Sequence, residues 1–443
     1  MEKKIWLIWI KMDKIKHKNQ DFGTFARGRF KKVFHLSDLK KISKGDLVHI
    51  VYDGDILGLV IRAIDLGVVG FAGNFGKTDH GVIAAKELGI SFHLTSMNFS
   101  GDKIYSLSNN EVIEGPVKFP TKKKNLIQTR ISTDKKVCIN LGFPNRCISD
   151  LSVLPDLADG VGFARMEFAI LEMMAGQHPL KYLKKHGPNK FSDELYKHFA
   201  KSVKRFEGKI FWIRTDDFSP NNLFHLKGGK DYEKETSNEI VGFRGIARSI
   251  DNKWLNLGNF EPSLDNVSWP GLQFEVINRL ASEFPATKIG LFAPMVHNAQ
   301  EYKTWKSLAQ KIITSPVAYG VMVEIPALSG EGILPFLEEN LIDFMIFGTN
   351  DLTSLILGVD RSDVRLSHLF NEENPAVLRA ILKTIEYCKA YGVSTAIGGQ
   401  AASRPSMISH LYKAGLDIFS VNPDLTTVQN TKKVLFNLEK KQI

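Results

Sequence analysis

Two acidic residues stand at the ends of apolar runs, where burial without a purpose would be costly. Glu324 ends the run VMVEIP, and Asp351, with Asn350 beside it, ends FMIFGTND. Two carboxylates with a neighbouring amide make a hard oxygen-donor set suited to Mg2+ or Mn2+, with waters and substrate oxygens completing the shell. Taken alone, either acid could equally be a strand-end carboxylate paired with an arginine. Four arginines extend the pattern: Arg165 in GFARMEF, Arg214 in IRTDDF, Arg244 in GFRGIARS and Arg361 in GVDR. Guanidinium groups match phosphate and carboxylate in bidentate fashion and stay charged at any working pH. Arginines converging beside a hard divalent cation describe a site for a small, highly anionic phosphorylated ligand. A surface ion pair is the alternative for each arginine taken singly. His80, in GKTDHGVIAAKELGI, opens a helical segment, where the dipole and free amides favour a transferred phosphoryl group. A capping or surface histidine is the alternative there.

The elements that must position these residues fall into two patterns. From about Lys44 to Pro116 the chain reads as short strands, such as LVHIVY and GVVGFAG, with one helix after His80 that stops near Gly89. Pro120 to Lys136 is polar, lysine-rich and linker-like. From Val137 onward, buried strands alternate with amphipathic helices: VCINLG, GVGFAR, IFWIRT, IGLFAPM, YGVMVEIP, DFMIFGTND, VSTAIGGQ and IFSVNPD. Eight such strands are what a closed parallel (β/α)8 barrel needs, and its binding site lies at the C-terminal mouth. Arg165, Arg214, Glu324, Asn350, Asp351 and Gln400 all fall at strand C-terminal ends in this reading. The fold class is therefore α/β: a TIM barrel over 137–443, a linker over 120–136, and a smaller β/α domain with an N-terminal extension over 1–119.

The chain has 443 residues, 43% hydrophobic and 24% charged, with a net charge of +10. That composition suits a globular protein of two domains. The positive charge admits nucleic acid or anionic phosphate ligands as partners. The lysines are scattered, apart from Lys122, Lys123 and Lys124, and no aromatic-basic ladder accompanies them, which argues against nucleic acid. No apolar run reaches the ~20 residues of a membrane span. The start, MEKKIWLIWIKMDKIK, reads as an edge strand rather than a signal peptide. Cys138, Cys147 and Cys388 lack metal-type spacing and cannot build a disulfide framework, which fits a reducing cytoplasm.

GKTDHGVIAAKELGI resembles the phosphohistidine motif of the phosphoenolpyruvate-utilising enzymes. DGVGFARMEFAI, GQHP, IRTDDFSPNNLFHLKGG, GFRGIARSI, VEIP, FGTNDLTSLILGVDR, SHLFNEENPAV, GGQAASRP and SVNPD are similar, in order, to segments of the synthase branch. The similarity spans roughly residues 44 to 430. It implies that the histidine domain swivels and that His80 is the phosphorylated residue. It implies that Arg165, Arg214, Arg244 and Arg361 bind ligand, that Asn350 contacts the substrate phosphate, and that Glu324 and Asp351 bind the metal. Analogy with related barrels adds a homodimer as an expectation.

Two departures bear on the reaction. The family carries a cysteine in a Gly-Ile-Cys-Gly-Gln motif, the acid that protonates the enolate. Here the segment runs Ala396, Ile397, Gly398, Gly399, Gln400. Losing a general acid typically costs ~10²–10⁴-fold in rate, whereas phosphoryl transfer itself needs positioning, metal and arginines. Synthases also begin with a large ATP-grasp domain for which these residues leave no room, so phosphorylation of His80 from ATP would require a separate subunit or another donor. A smaller difference is His297, where synthases usually carry arginine. The expected function is phosphoryl transfer through His80 to or from pyruvate or phosphoenolpyruvate. The alternatives are transfer to a different small carboxylate and a catalytically weak ligand-binding regulator.

Overall fold

The computed structural model describes residues 26–441 apart from 53–55, 76–79, 102, 108–111, 117–130, 145–152, 239, 361–362 and 367. Most of the expected linker, Cys147, Arg361 and the N-terminal run thus lie outside the described residues. Chain contacts divide the molecule into two compact units. One comprises 1–52, 63–74 and 89–123; the other comprises 53–62, 75–88 and 124–443.

The first unit is built on a six-stranded sheet: β1 (Ala26–Val33), β2 (Leu47–Ile50), β3 (Gly70–Gly73), β4 (Ser91–Leu94), β5 (Ile104–Leu107) and β6 (Val112–Glu114), in the order β4-β3-β2-β1-β5-β6. β1 to β4 run parallel, while β5 and β6 pair antiparallel. Parallel neighbours need crossovers, and the chain supplies helices Ile56–Asp65 between β2 and β3 and His80–Glu87 between β3 and β4. β2 and β3 are buried at every position, as the central strands of a parallel sheet should be. Phe30, Phe99 and Tyr105 form an aromatic cluster in the core, with Phe30 and Phe99 stacked at 4.1 Å.

The second unit contains a closed, all-parallel barrel of eight strands in sequence order. These are β7 (Lys136–Leu141), β8 (Gly160–Arg165), β9 (Ile210–Arg214), β10 (Lys288–Ala293), β11 (Ala318–Val323), β12 (Phe344–Gly348), β13 (Ser394–Gly398) and β14 (Ile418–Val421). All eight expected strands are present. The barrel is filled by Cys138, Phe163, Ile210, Trp212, Phe292, Met322, Phe344, Ile346, Ala396 and Ile418. Trp212 and Phe344 stack across it at 3.8 Å between ring centroids.

Alternation along a strand then decides what reaches the mouth. Ile210 and Trp212 fill the barrel, so Arg214 at the end of β9 shares their face; Phe163 does the same for Arg165 on β8. Met322 precedes Glu324 by the same two-residue step, just past β11. The expectation that Asn350, Asp351 and Gln400 end strands is revised: β13 stops at Gly398, and Gln400 lies in the 3-10 helix Gln400–Ser403. Asn350 and Asp351 do not end a strand: β12 stops at Gly348, and both lie in the first turn of the helix Thr349–Leu357. There Asp351 is an acid at a helix N-terminus, where the dipole favours it.

Candidate active site

A solvent-open pocket lies at the C-terminal mouth of the barrel. Its lining includes Arg165, Arg214, Asp217, Glu324, Asn350 and Asp351. Five of these six were singled out from the sequence, and Asp217 was not. Asp217, Glu324 and Asp351 are buried, and one carboxylate oxygen from each lies within 4.8 Å of the others. Glu324 reaches this position because residue 348 is glycine. A Cβ there would come within 2.7 Å of Glu324 Oε2 and 2.8 Å of Met322 Cε. The other oxygen, Oε1, accepts from the Met295 backbone amide at 2.7 Å.

The arginines tie the acids together. Arg244 donates to Asp217 from Nε at 2.8 Å and from Nη2 at 2.6 Å, and its Nη2 lies 3.5 Å from Asp351 Oδ2. Arg214 Nη1 lies 3.1 Å from Asp217 Oδ2 and 3.9 Å from Glu324 Oε2, while its Nη2 pairs with Glu167. Arg165 places its guanidinium over the Phe163 ring, 4.4 Å from the centroid, and Arg214 lies 5.2 Å from the same ring.

Next to Asp217, Asp216 points away into the barrel wall. Its Oδ1 accepts from the Trp269 indole at 2.9 Å and from the Gln273 amide, whose oxygen takes the Asp216 backbone N–H at 3.0 Å. Burial pushes Asp216 up to about 6, against these hydrogen bonds and the charge of Arg248. Burial likewise pushes Glu324 up to about 8, with the neighbouring Asp217 adding to the effect and Arg214 opposing it. Arg214 and Arg244 move the other way. Burial works against their charge, but the carboxylates around them more than offset it and hold both more firmly protonated than usual.

Four carboxylates (Glu167, Asp217, Glu324, Asp351) and three guanidiniums (Arg165, Arg214, Arg244) thus share the mouth and its immediate surroundings. The three clustered acids fit a hard divalent cation, which prefers carboxylate oxygens and relieves like-charge crowding. Asn350 Oδ1 is a further buried oxygen with no donor among the described residues. A cation held there would leave the arginines and the metal face net positive, the polarity an anionic phosphorylated ligand requires.

The other expected residues are placed less centrally. Gln400 opens a short 3-10 helix directly after Gly398 and Gly399, which line the pocket, but it does not line the pocket itself. His297 is exposed, with Nδ1 3.0 Å from Glu301. His80 is the first residue of the helix His80–Glu87. Arg361 lies outside the described residues. Asp217 was missed because IRTDDF offers two adjacent acids, and the sequence does not say which one turns toward the mouth. Its position three residues beyond Arg214 was the available signal.

A parallel eight-stranded barrel with buried acids and arginines at its C-terminal mouth defines an α/β protein of the TIM-barrel class. The family follows from sequence: residues 119–440 match the PEP-binding domain of PEP-utilising enzymes, and the chain belongs to that family. It is 32% identical over 438 residues to phosphoenolpyruvate synthase of Pyrococcus furiosus, covering 94% of this chain and 50% of that one. It is 31% identical over 428 residues to a probable phosphoenolpyruvate synthase of Archaeoglobus fulgidus, covering 94% and 53%. With the phosphoenolpyruvate synthase of Pseudomonas aeruginosa the identity is 30% over 433 residues, covering 90% and 52%. The chain spans about half the length of these relatives. Among the described residues, no helix is long and apolar enough to cross a membrane.

Proposed function

We propose that the chain is a phosphoenolpyruvate synthase-like phosphotransferase unit that moves a phosphoryl group between His80 and a small carboxylate in the barrel. Pyruvate and phosphoenolpyruvate are the proposed pair. The observation that carries this reading is the buried Asp217–Glu324–Asp351 cluster, gripped by Arg214 and Arg244 at the barrel mouth. Residues 1–119 would form the histidine domain, 120–136 the linker on which it swings, and 137–443 the barrel.

Asp217, Glu324 and Asp351 would hold Mg2+ or Mn2+, which supplies Lewis-acid neutralisation of charge on the phosphoryl and enolate oxygens. Arg165, Arg214, Arg244 and Arg361 bind and orient the phosphate and carboxylate groups. Asn350, which lies in the first turn of its helix and lines the pocket, would hydrogen-bond a phosphate oxygen. Phosphoryl transfer passes through a loose transition state, so positioning and charge stabilisation supply most of the catalysis. An ATP-grasp unit from outside these residues is the proposed donor to His80. A homodimer is carried over from the resemblance alone, and a cytoplasmic setting rests on the cysteine usage.

The test is Mg-dependent labelling with phosphoenolpyruvate carrying radioactive phosphate, using His80→Ala as control. Acid-labile label on the wild-type protein that disappears in the variant is the expected result. A folded wild-type protein that binds phosphoenolpyruvate yet takes up no label would point to a binding role instead.

A further inference from the structure

Phe163, Gly398 and Gly399 line the pocket beside the acids, the arginines, Met322, Gly348, Thr349 and Asn350, and among these described residues those three offer no side-chain proton donor. Gly398 closes β13, and a Cβ built on it would lie 2.8 Å from Phe163 Cδ1 and 3.2 Å from Ile346 Cδ1. The Phe163 ring therefore takes the space that a side chain at 398 would need. That ring is 2% exposed and belongs to the barrel-filling core. It also underlies two guanidiniums, with Arg165 at 4.4 Å and Arg214 at 5.2 Å from its centroid. A cation over an aromatic face is attracted by the ring quadrupole, more strongly where water is excluded. A single side chain thus supports both anion-binding arginines and closes one wall of the site.

We propose that Phe163, admitted by the glycine at 398, is the specificity-determining residue of this site. It confines the chemistry to bonds at oxygen and leaves carbon protonation to water. The inference rests on the phosphotransfer reading above. With phosphoenolpyruvate as donor, the bond between phosphorus and the enol oxygen breaks, and its electron pair stays on the pyruvate enolate. A phosphorus–nitrogen bond forms to the His80 imidazole. The enolate then takes a proton at its methylene carbon from a water molecule, leaving hydroxide to the buffer. No side chain on the Phe163–Gly398–Gly399 wall can hold that proton. The ligand class that fits is a small anion whose reacting oxygen faces the acids and arginines and whose carbon end meets the ring.

Exchange of the pyruvate methyl protons in D2O, followed by NMR with the full chain and Mg2+, tests this. Titration calorimetry with pyruvate and with oxalate, a planar dianion of enolate shape, is run in parallel. Anion binding with methyl exchange no faster than in buffer containing Mg2+ alone is the expected result. Binding accompanied by clear protein-dependent exchange would overturn this inference and leave the phosphotransfer reading standing. Failure to bind either anion would sink that reading and this inference with it. The double variant Phe163→Leu/Gly398→Cys makes room for a thiol and should gain exchange at least tenfold over wild type. A double variant that is folded and binds oxalate, yet gains no exchange, counts against the assignment. Phe163→Leu alone leaves β13 untouched and should weaken oxalate binding about tenfold through the two arginines. Unchanged affinity there would overturn the role given to the ring.

Discussion

Arg244 grips Asp217 with both arms of its guanidinium, Nε to Oδ1 at 2.8 Å and Nη2 to Oδ2 at 2.6 Å, and both side chains are almost wholly buried. Removing one partner of such a pair leaves an uncompensated buried charge, which typically costs about 3–5 kcal/mol. Arg244→Met is therefore expected to lower stability by that order, since among the described residues Asp217 keeps only Arg214 and Asp351 loses a cation nearby. Added Mg2+ should restore part of the loss by replacing the missing positive charge. Chemical denaturation with and without Mg2+ checks both halves, and an equal loss in each condition would count against a cation at the three acids.

Gly348 is the gap through which Glu324 reaches the mouth. Gly348→Ala places a methyl group against Glu324 Oε2 and Met322 Cε, so the carboxylate must move. The expected outcome is a loss of Mn2+ affinity of at least tenfold, on the scale seen when the support of a metal ligand is removed. The barrel should survive, because the contacts are with side chains. Mn2+ titration by electron paramagnetic resonance, with circular dichroism as the control, reads the two effects separately.

The Gln273 amide holds Asp216 by both its carboxylate and its backbone N–H. Gln273→Leu keeps much of the volume but strips two hydrogen bonds from a fully buried segment. About 1–3 kcal/mol per unsatisfied group is the usual cost, and the turn carrying Asp217 should loosen with it. Thermal denaturation should show a lower midpoint, and Mn2+ affinity should fall even though Gln273 is no metal ligand. A drop in stability with unchanged Mn2+ affinity would mean that the turn is held without it.

His178 caps the helix Pro179–His186, accepting the Leu180 N–H on Nδ1 at 3.3 Å, and is fully buried. Burial holds its pKa below the ordinary histidine value, although Glu233, 3.8 Å from Nε2, acts in the opposite sense. The unfolded chain therefore takes up this proton more readily than the folded one as pH falls through about 6.5. Stability is unaffected by the group above that point and declines below it. His178→Asn retains a capping side chain and removes the titration. Its melting temperature should fall less than that of wild type between pH 7.5 and pH 5.5, and an identical decline in both proteins would exclude His178 as a source.

The sequence by itself determined the barrel and the order of its strands. Apolar runs with two-residue alternation are a local property, so each run carries its own inward face. The residue two steps beyond the last core side chain is then a candidate for the mouth. Arg165, Arg214 and Glu324 were legible in this way, and the motifs around them carried the family. Asn350 and Asp351 were identified as site residues, but in the wrong element, because a strand running straight into a helix leaves no polar gap between them. Only the tertiary structure decided which of Asp216 and Asp217 joins the acids, since that depends on the path of one turn and on where Trp269 and Gln273 offer hydrogen bonds. It also decided that Phe163 fills the place of a side chain at 398. Those two residues belong to strands far apart in the chain, and only the closure of eight strands, with its fixed cross-barrel distances, sets one against the other.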